Sequence, residues 1–214
     1  MKRLIILDFD GTLADTRELI VCTNQEVQRR MRHPIVEEAR ITAAIGLPLA
    51  ECIRAQCPDV TDDQMPVWVN TYRAVFDDFK GKFAPALFPH VKETIQELTA
   101  HGCRCTVASS RSNQSLNEFL EKMELAPYFS LVVGANDVTH AKPHPEPVLK
   151  TLSALSVSPS DALVVGDMPV DIQMGAGAGA WTCGVTYGNS NREALLTAGA
   201  QYVIDDFAEL INLI

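Results

Sequence analysis

The chain has 214 residues, 47% of them hydrophobic, with 18 basic and 27 acidic side chains and a formal charge of −9. That length and apolar content suit one large domain, or a core domain with a smaller insert, and exclude a globally disordered chain. The acidic balance argues against a nucleic-acid or anionic-membrane partner, which needs a basic footprint, and no apolar run reaches the length of a membrane span.

The first predicted element is a strand over residues 4–7, Leu-Ile-Ile-Leu, preceded only by Lys2-Arg3 and so too short an apolar run for a secretory leader. It runs directly into Asp8-Phe9-Asp10-Gly11-Thr12. Strand side chains alternate faces, so Asp8 and Asp10 would share a face if the strand continued. Two carboxylates about 4 Å apart repel by roughly 4 kcal/mol at an effective dielectric near 20. A bound cation or a shared proton usually offsets such a pair, which marks it as a site.

From residue 16 to 86 no strand is predicted. Helical patterns cover 17–31, 35–44, 49–56 and 63–79, with breaks at Gly46-Leu47-Pro48 and Pro58-Asp59. A stretch of that length is no ordinary loop and predicts a helical cap over the strand end. Within it, Trp68 and Tyr72 share a helical face with Val75 and Phe76, the signature of cap-core packing.

Beyond residue 87 the chain alternates. Short apolar strands are predicted over 105–108, 131–133, 162–165, 182–185 and 202–204, with helices over 91–100, 114–123, 145–155 and 194–198. That order predicts an α/β fold, a doubly wound and mostly parallel Rossmann-like sheet, with the small helical cap inserted after the first strand. The expected division is a core of residues 1–15 and 87–214 and a cap of residues 16–86. The Gly175–Gly179 run lacks the third glycine of a dinucleotide fingerprint and lies late in a helix, so close helix–sheet packing is expected there. The six cysteines are scattered without zinc spacing, as reduced thiols in a cytoplasmic protein are. The five histidines likewise show no metal spacing and are expected at the surface or in local hydrogen bonds.

Three further clusters repeat the first. Ser109-Ser110 follows the second long strand, Lys142-Pro143 lies after the third, and Gly166-Asp167 with Asp171 follows the fourth. In a parallel sheet, functional groups gather beyond the carboxyl ends of the strands. Taken singly, each has a plainer role. Asp-x-Asp-Gly is turn chemistry, Ser109-Ser110 and Asp171 are helix-capping types, and Lys142 is a surface charge. Four in order outweigh those roles.

Together these motifs resemble the haloacid dehalogenase superfamily, in its phosphatase branch with a helical cap after the first strand, close to phosphoglycolate phosphatases and cytosolic pyrophosphatases. The resemblance spans essentially the whole chain and includes Gly46-Leu47-Pro48 in the cap and Phe88-Pro89 on re-entry to the core. It implies that Asp8 attacks phosphorus to form an aspartyl-phosphate, with Asp10 as general acid and base. It implies Mg²⁺ held by Asp8, the Asp10 backbone carbonyl and Asp167, with Asp171 binding directly or through water. Ser109, with Ser110, and Lys142 would bind the phosphoryl group. Thr16 and Arg17 would mark the cap hinge, while Gly46 and Leu47 would lie nearest the phosphoryl site. Four carboxylates, one Mg²⁺ and one Lys leave about one negative charge before substrate arrives.

The implied substrate is a small phosphorylated metabolite, with phosphoglycolate, pyrophosphate, a sugar phosphate and a nucleotide all open. A β-phosphoglucomutase-like phosphotransferase is the weaker alternative, because Gly11-Thr12 stands where mutases usually carry Gly-Val and the first cap histidine, His33, falls too late. A catalytically silent module of the same fold is the other; the intact acids and Lys142 argue against it. The sequence does not distinguish a monomer from a homodimer, and it leaves the cap arginines unranked.

Overall fold

A computed structural model describes residues 3–214. Its elements in chain order are β1 (Leu4–Leu7), β2 (Ala14–Asp15), α1 (Arg17–Arg30), α2 (Glu38–Thr42), α3 (Leu49–Gln56) and α4 (Met65–Phe83). They continue with β3 (Ala86–Leu87), α5 (Val91–Ala100), β4 (Arg104–Ala108), α6 (Asn113–Lys122), β5 (Phe129–Val133) and α7 (Glu146–Leu155). Last come β6 (Ala162–Gly166), α8 (Pro169–Gly177), β7 (Trp181–Val185), α9 (Arg192–Thr197) and β8 (Tyr202–Ile204).

Six strands form one sheet in the order β5-β4-β1-β6-β7-β8, and every pairing in it is parallel. β1 is central because it carries no polar side chain and is fully buried on both faces. Ile5 and Leu7, with Phe9 just beyond, pack with Ile95, Leu98 and Leu116 on one side, while Leu4 and Ile6 pack with Val148, Leu152 and Met174 on the other. Full burial of such a side chain stabilises by about 1.5–3 kcal/mol. With β1 flanked by β4 and β6, the segments after Leu7, Ala108 and Gly166 leave the sheet at one edge, side by side.

The Gly175–Gly179 run behaves as expected. A Cβ on Gly175 would press into Val164 and Thr182, so this glycine lets α8 lie close against β6 and β7.

Two differences from the sequence expectation stand out. The predicted helix over 35–44 shrinks to α2, because Gln28 on α1 captures the Val36 N–H and Pro34 interrupts the chain, leaving the preceding residues without helical structure. The chain also enters and leaves the helical block through a two-stranded antiparallel pair, Ala14 opposite Leu87 and Asp15 opposite Ala86. Two-residue strands carry too little periodicity to be read from sequence. Within the block, Val27, Ile53, Met65, Trp68 and Val75 make their own buried cluster. Tyr72 and Phe79 of α4 pack against both that cluster and the main core.

Candidate active site

The strand ends deliver the predicted acids to one place. The carboxylates of Asp8, Asp167 and Asp171 gather with ligand atoms within 4.8 Å of one another, all buried. Lys142 reaches in from the loop before α7 and places its Nζ 2.6 Å from Asp8 Oδ1 and 2.7 Å from Asp171 Oδ1. Burial works against the ammonium charge, but the two carboxylates outweigh it and hold Lys142 above its usual range. Burial, then Asp171, pushes the Asp8 carboxyl well up despite Lys142. Burial and Asp171 likewise lift Asp167 to about 7, opposed by hydrogen bonds from Asn189.

The individual oxygens are not equivalent. Asp171 is fully engaged: Oδ1 accepts from Lys142, and Oδ2 accepts the Met168 N–H at 3.1 Å, which caps the start of α8. So this residue both caps α8 and belongs to the carboxylate cluster. Asp167 Oδ2 accepts from the Asn189 backbone N–H at 2.7 Å and from its side-chain amide at 2.9 Å. Asp167 Oδ1 is buried without a hydrogen-bond partner among the described residues. An orphaned buried oxygen costs about 1–3 kcal/mol unless something occupies it. Gly11 and Gly188 crowd this carboxylate so closely that a Cβ on either would run into it, and Gly11 has φ +78°.

Ser109 is buried at the end of β4, its Oγ accepting the Arg111 N–H at 3.2 Å. Ser110 Oγ donates to the Gly46 carbonyl at 2.6 Å, tying the Gly46-Leu47 turn of the helical block to the core. The helix after these serines is capped instead by Ser112, which accepts from Ser115 N–H. Thr16 donates to Asp10 Oδ1 at 2.6 Å. Arg17 donates through Nε to Asn189 Oδ1 at 2.9 Å and through Nη2 to the Gly188 carbonyl, so the predicted hinge is anchored beside Asp167.

Two participants escaped the sequence reading. Arg111 grips Asp10, with Nε at 2.8 and 2.9 Å from its two oxygens and Nη2 at 2.6 Å from Oδ1. The guanidinium carbon lies over the rings of Phe76 and Phe119 at 4.9 Å and Phe9 at 5.5 Å. Asn189 is the other. The positional signal for Arg111 was its place two residues past Ser109 at a strand end, the same edge that supplied every other candidate.

A cavity of about 810 Å³ opens between α4, the Gly46-Leu47 turn and the ends of β1 and β4, lined by Asp8, Asp10, Ser109, Ser110, Arg111 and Tyr72 among others. A second cluster, His140, His144 and Glu146, also brings ligand atoms together near the surface. There Glu146 accepts the backbone N–H groups of Thr139 and His140, which lower it to about 2, and the histidines make local hydrogen bonds as expected.

Comparison with known proteins agrees with this geometry. The family described as haloacid dehalogenase-like hydrolase matches residues 5–185, and the chain belongs to it. It stands among that family's phosphatases. It is 37% identical, over 99% of its length and 93% of the relative's, to "Probable phosphatase IndB" of Dickeya dadantii. It is 32% identical to a phosphoglycolate phosphatase of Salmonella paratyphi A, covering 98% of this chain and 91% of that one. It is 30% identical to pyrophosphatase PpaX of Anoxybacillus flavithermus, covering 98% and 95%. A solved haloacid dehalogenase-like hydrolase from Bacteroides fragilis superposes with a TM-score of 0.93 at 27% identity, covering 98% of this chain and 100% of that one.

Proposed function

We propose that this phosphatase hydrolyses a small phosphorylated metabolite in two steps through an aspartyl-phosphate on Asp8, with Mg²⁺ as cofactor and residues 16–86 acting as a substrate-selecting cap. The observation that carries the reading is the Asp8–Lys142–Asp171–Asp167 cluster, with its unpartnered Asp167 oxygen. Three buried carboxylates against one lysine leave excess negative charge, and their oxygens are hard donors of the kind Mg²⁺ prefers. Asp167 Oδ1 and the Asp8 oxygen turned away from Lys142 fit the ion. Asp171, with both oxygens engaged, acts behind them by fixing Lys142 and the start of α8. When bound, Mg²⁺ neutralises charge between the enzyme carboxylates and the phosphoryl oxygens.

The chain's own residues perform the rest. Asp8 attacks phosphorus as the bond to the leaving oxygen breaks, while Lys142 steadies the nucleophile and the phosphoryl charge. Ser109, buried at the end of β4, donates to a phosphoryl oxygen. Asp10 gives a proton to the departing oxygen, then takes one from the water that attacks the phospho-aspartate, returning Asp8 to its free form. For this Asp10 turns away from Arg111 and Thr16, which hold it in the present structure.

The relatives named above point to phosphoglycolate or pyrophosphate, and in both a second anion adjoins the phosphoryl group to be removed. The dispersed cysteines, four of the six buried, support a cytoplasmic setting. A phosphorylated-metabolite panel with detection of inorganic phosphate tests the reading: release with Mg²⁺, none after chelation, and none from Asp8→Asn with its fold retained. Full turnover after exhaustive chelation, or unchanged turnover in D8N, would defeat it. Conversion of a sugar 1-phosphate to its isomer without phosphate release would favour a mutase instead.

A further inference from the structure

Arg111 lines the cavity and makes its ion pair with Asp10, whereas Lys142 pairs with Asp8 and Asp171. Arg111 follows the phosphate-binding serines on the core side of the cavity, and its side chain is only 9% exposed. Three aromatic rings hold the guanidinium from beneath. A desolvated guanidinium over such faces is held firmly in place, and it pairs strongly with planar anions. Asp10 uses Nε and one N–H of Nη2, and Ser115 Oγ accepts one N–H of Nη1 at 3.2 Å. A guanidinium has five N–H groups, so two more have no partner among the described residues, on a side chain that lines the cavity.

The other cations along the cavity are placed differently. Lys80 is already paired with Asp77 and Glu118 at 2.8 and 2.6 Å. Arg73 is exposed. Arg111 is a half-buried cation on that wall, and its ion pair is with the proton-transfer aspartate, Asp10. It also completes the charge balance: four carboxylates, Lys142, Arg111 and one divalent cation sum to zero, where the count without Arg111 left one negative charge.

We propose that Arg111 is the receptor for a second anionic group on the substrate, a carboxylate or phosphate carried next to the phosphoryl group that is removed. This rests on the phosphatase reading and narrows it to bifunctional anions. The sequence left the cap arginines unranked; here the receptor belongs to the core. It also links recognition to chemistry. An incoming anion competes with Asp10 for the guanidinium, and the displaced Asp10 becomes able to turn toward the leaving oxygen. A neutral ester offers no such exchange.

The test compares kcat/KM for phosphoglycolate and pyrophosphate with that for 2-hydroxyethyl phosphate, a neutral-tailed match for the first, in wild type, Arg111→Met and Arg111→Lys. Wild type should prefer the substrates with a second anion. R111M, whose thioether suits the aromatic cage, should lower that preference by roughly 10- to 100-fold, the worth of charge-assisted hydrogen bonds, chiefly through KM. R111K should lie between. If R111M slows all substrates equally and the ratio is unchanged, Arg111 only positions Asp10 and the inference is overturned. The wild-type comparison stands even if R111M fails to fold: equal turnover of 2-hydroxyethyl phosphate and phosphoglycolate overturns the inference alone. Hydrolysis of none of the three with Mg²⁺ present, while another member of the phosphorylated-metabolite panel releases phosphate, overturns this inference alone; release from no member of the panel overturns the phosphatase reading with it.

Discussion

Asp167 should make the stability of the metal-free protein fall as pH rises. Its carboxyl is buried beside Asp171 and lifted from 3.8 to about 7. In the unfolded chain it titrates near its ordinary value, so between about pH 4 and 7 the folded form keeps a proton that the unfolded form has lost. A raised carboxyl therefore stabilises the fold below that window relative to above it, by roughly 4 kcal/mol in all. About two pH units of that window, roughly 3 kcal/mol, lie between pH 5 and 8, so at about 2–4 °C per kcal/mol for a chain of this size the melting temperature in chelator should be about 5–10 °C lower at pH 8 than at pH 5. Asp8, also pushed up by burial, adds in the same direction. Asp167→Asn should remove most of the Asp167 contribution: its amide oxygen still accepts from Asn189, and an uncharged NH₂ takes the place of the orphaned oxygen. Saturating Mg²⁺ should flatten the slope in wild type, because the ion favours the ionised carboxylate. Calorimetric scans of wild type and D167N at both pH values, at one ionic strength, decide the matter. If the two proteins lose the same stability between pH 5 and 8 without metal, Asp167 is not strained by burial and the argument for its ion-binding role fails.

Other consequences follow from the same geometry. Lys142→Met should destabilise the fold by about 3–5 kcal/mol at neutral pH, because Asp8 and Asp171 lose the cation between them. Thermal melts should show partial recovery in the K142M/D8N double variant. Gly11→Ala should cost at least about 1–2 kcal/mol for the left-handed backbone alone, and its Cβ would collide with Asp167, so chemical denaturation should reveal a larger loss. Asn189→Ala removes a donor to Asp167 and the acceptor of Arg17, and should raise the Mg²⁺ concentration for half-maximal phosphate release roughly 10- to 100-fold. An unchanged Mg²⁺ dependence would separate Asn189 from the ion.

The sequence by itself determined the strands, their hydrophobic continuity and the acids that follow them. A short run such as Leu4–Leu7 is apolar on both faces because it lies in the middle of a parallel sheet, and the polar residue that ends it must leave the sheet at the functional edge. Asp8, Ser109 and Asp167 stand just past strand ends for that local reason, whereas Lys142 comes in from the loop before α7. Tertiary structure alone decided how the oxygens are shared. Arg111 meets Asp10 across 101 residues of chain and Arg17 meets Asn189 across 172, and neither pairing leaves a periodic or compositional trace in the residues between. The same holds for α2, which Gln28 on a neighbouring helix cuts short, and for the strand pair that closes the helical block, each of whose members has too few residues to declare itself. Local patterns record which face of an element is buried. Only the closing of long loops brings charges to within hydrogen-bonding distance and so sets which carboxylate keeps a free oxygen.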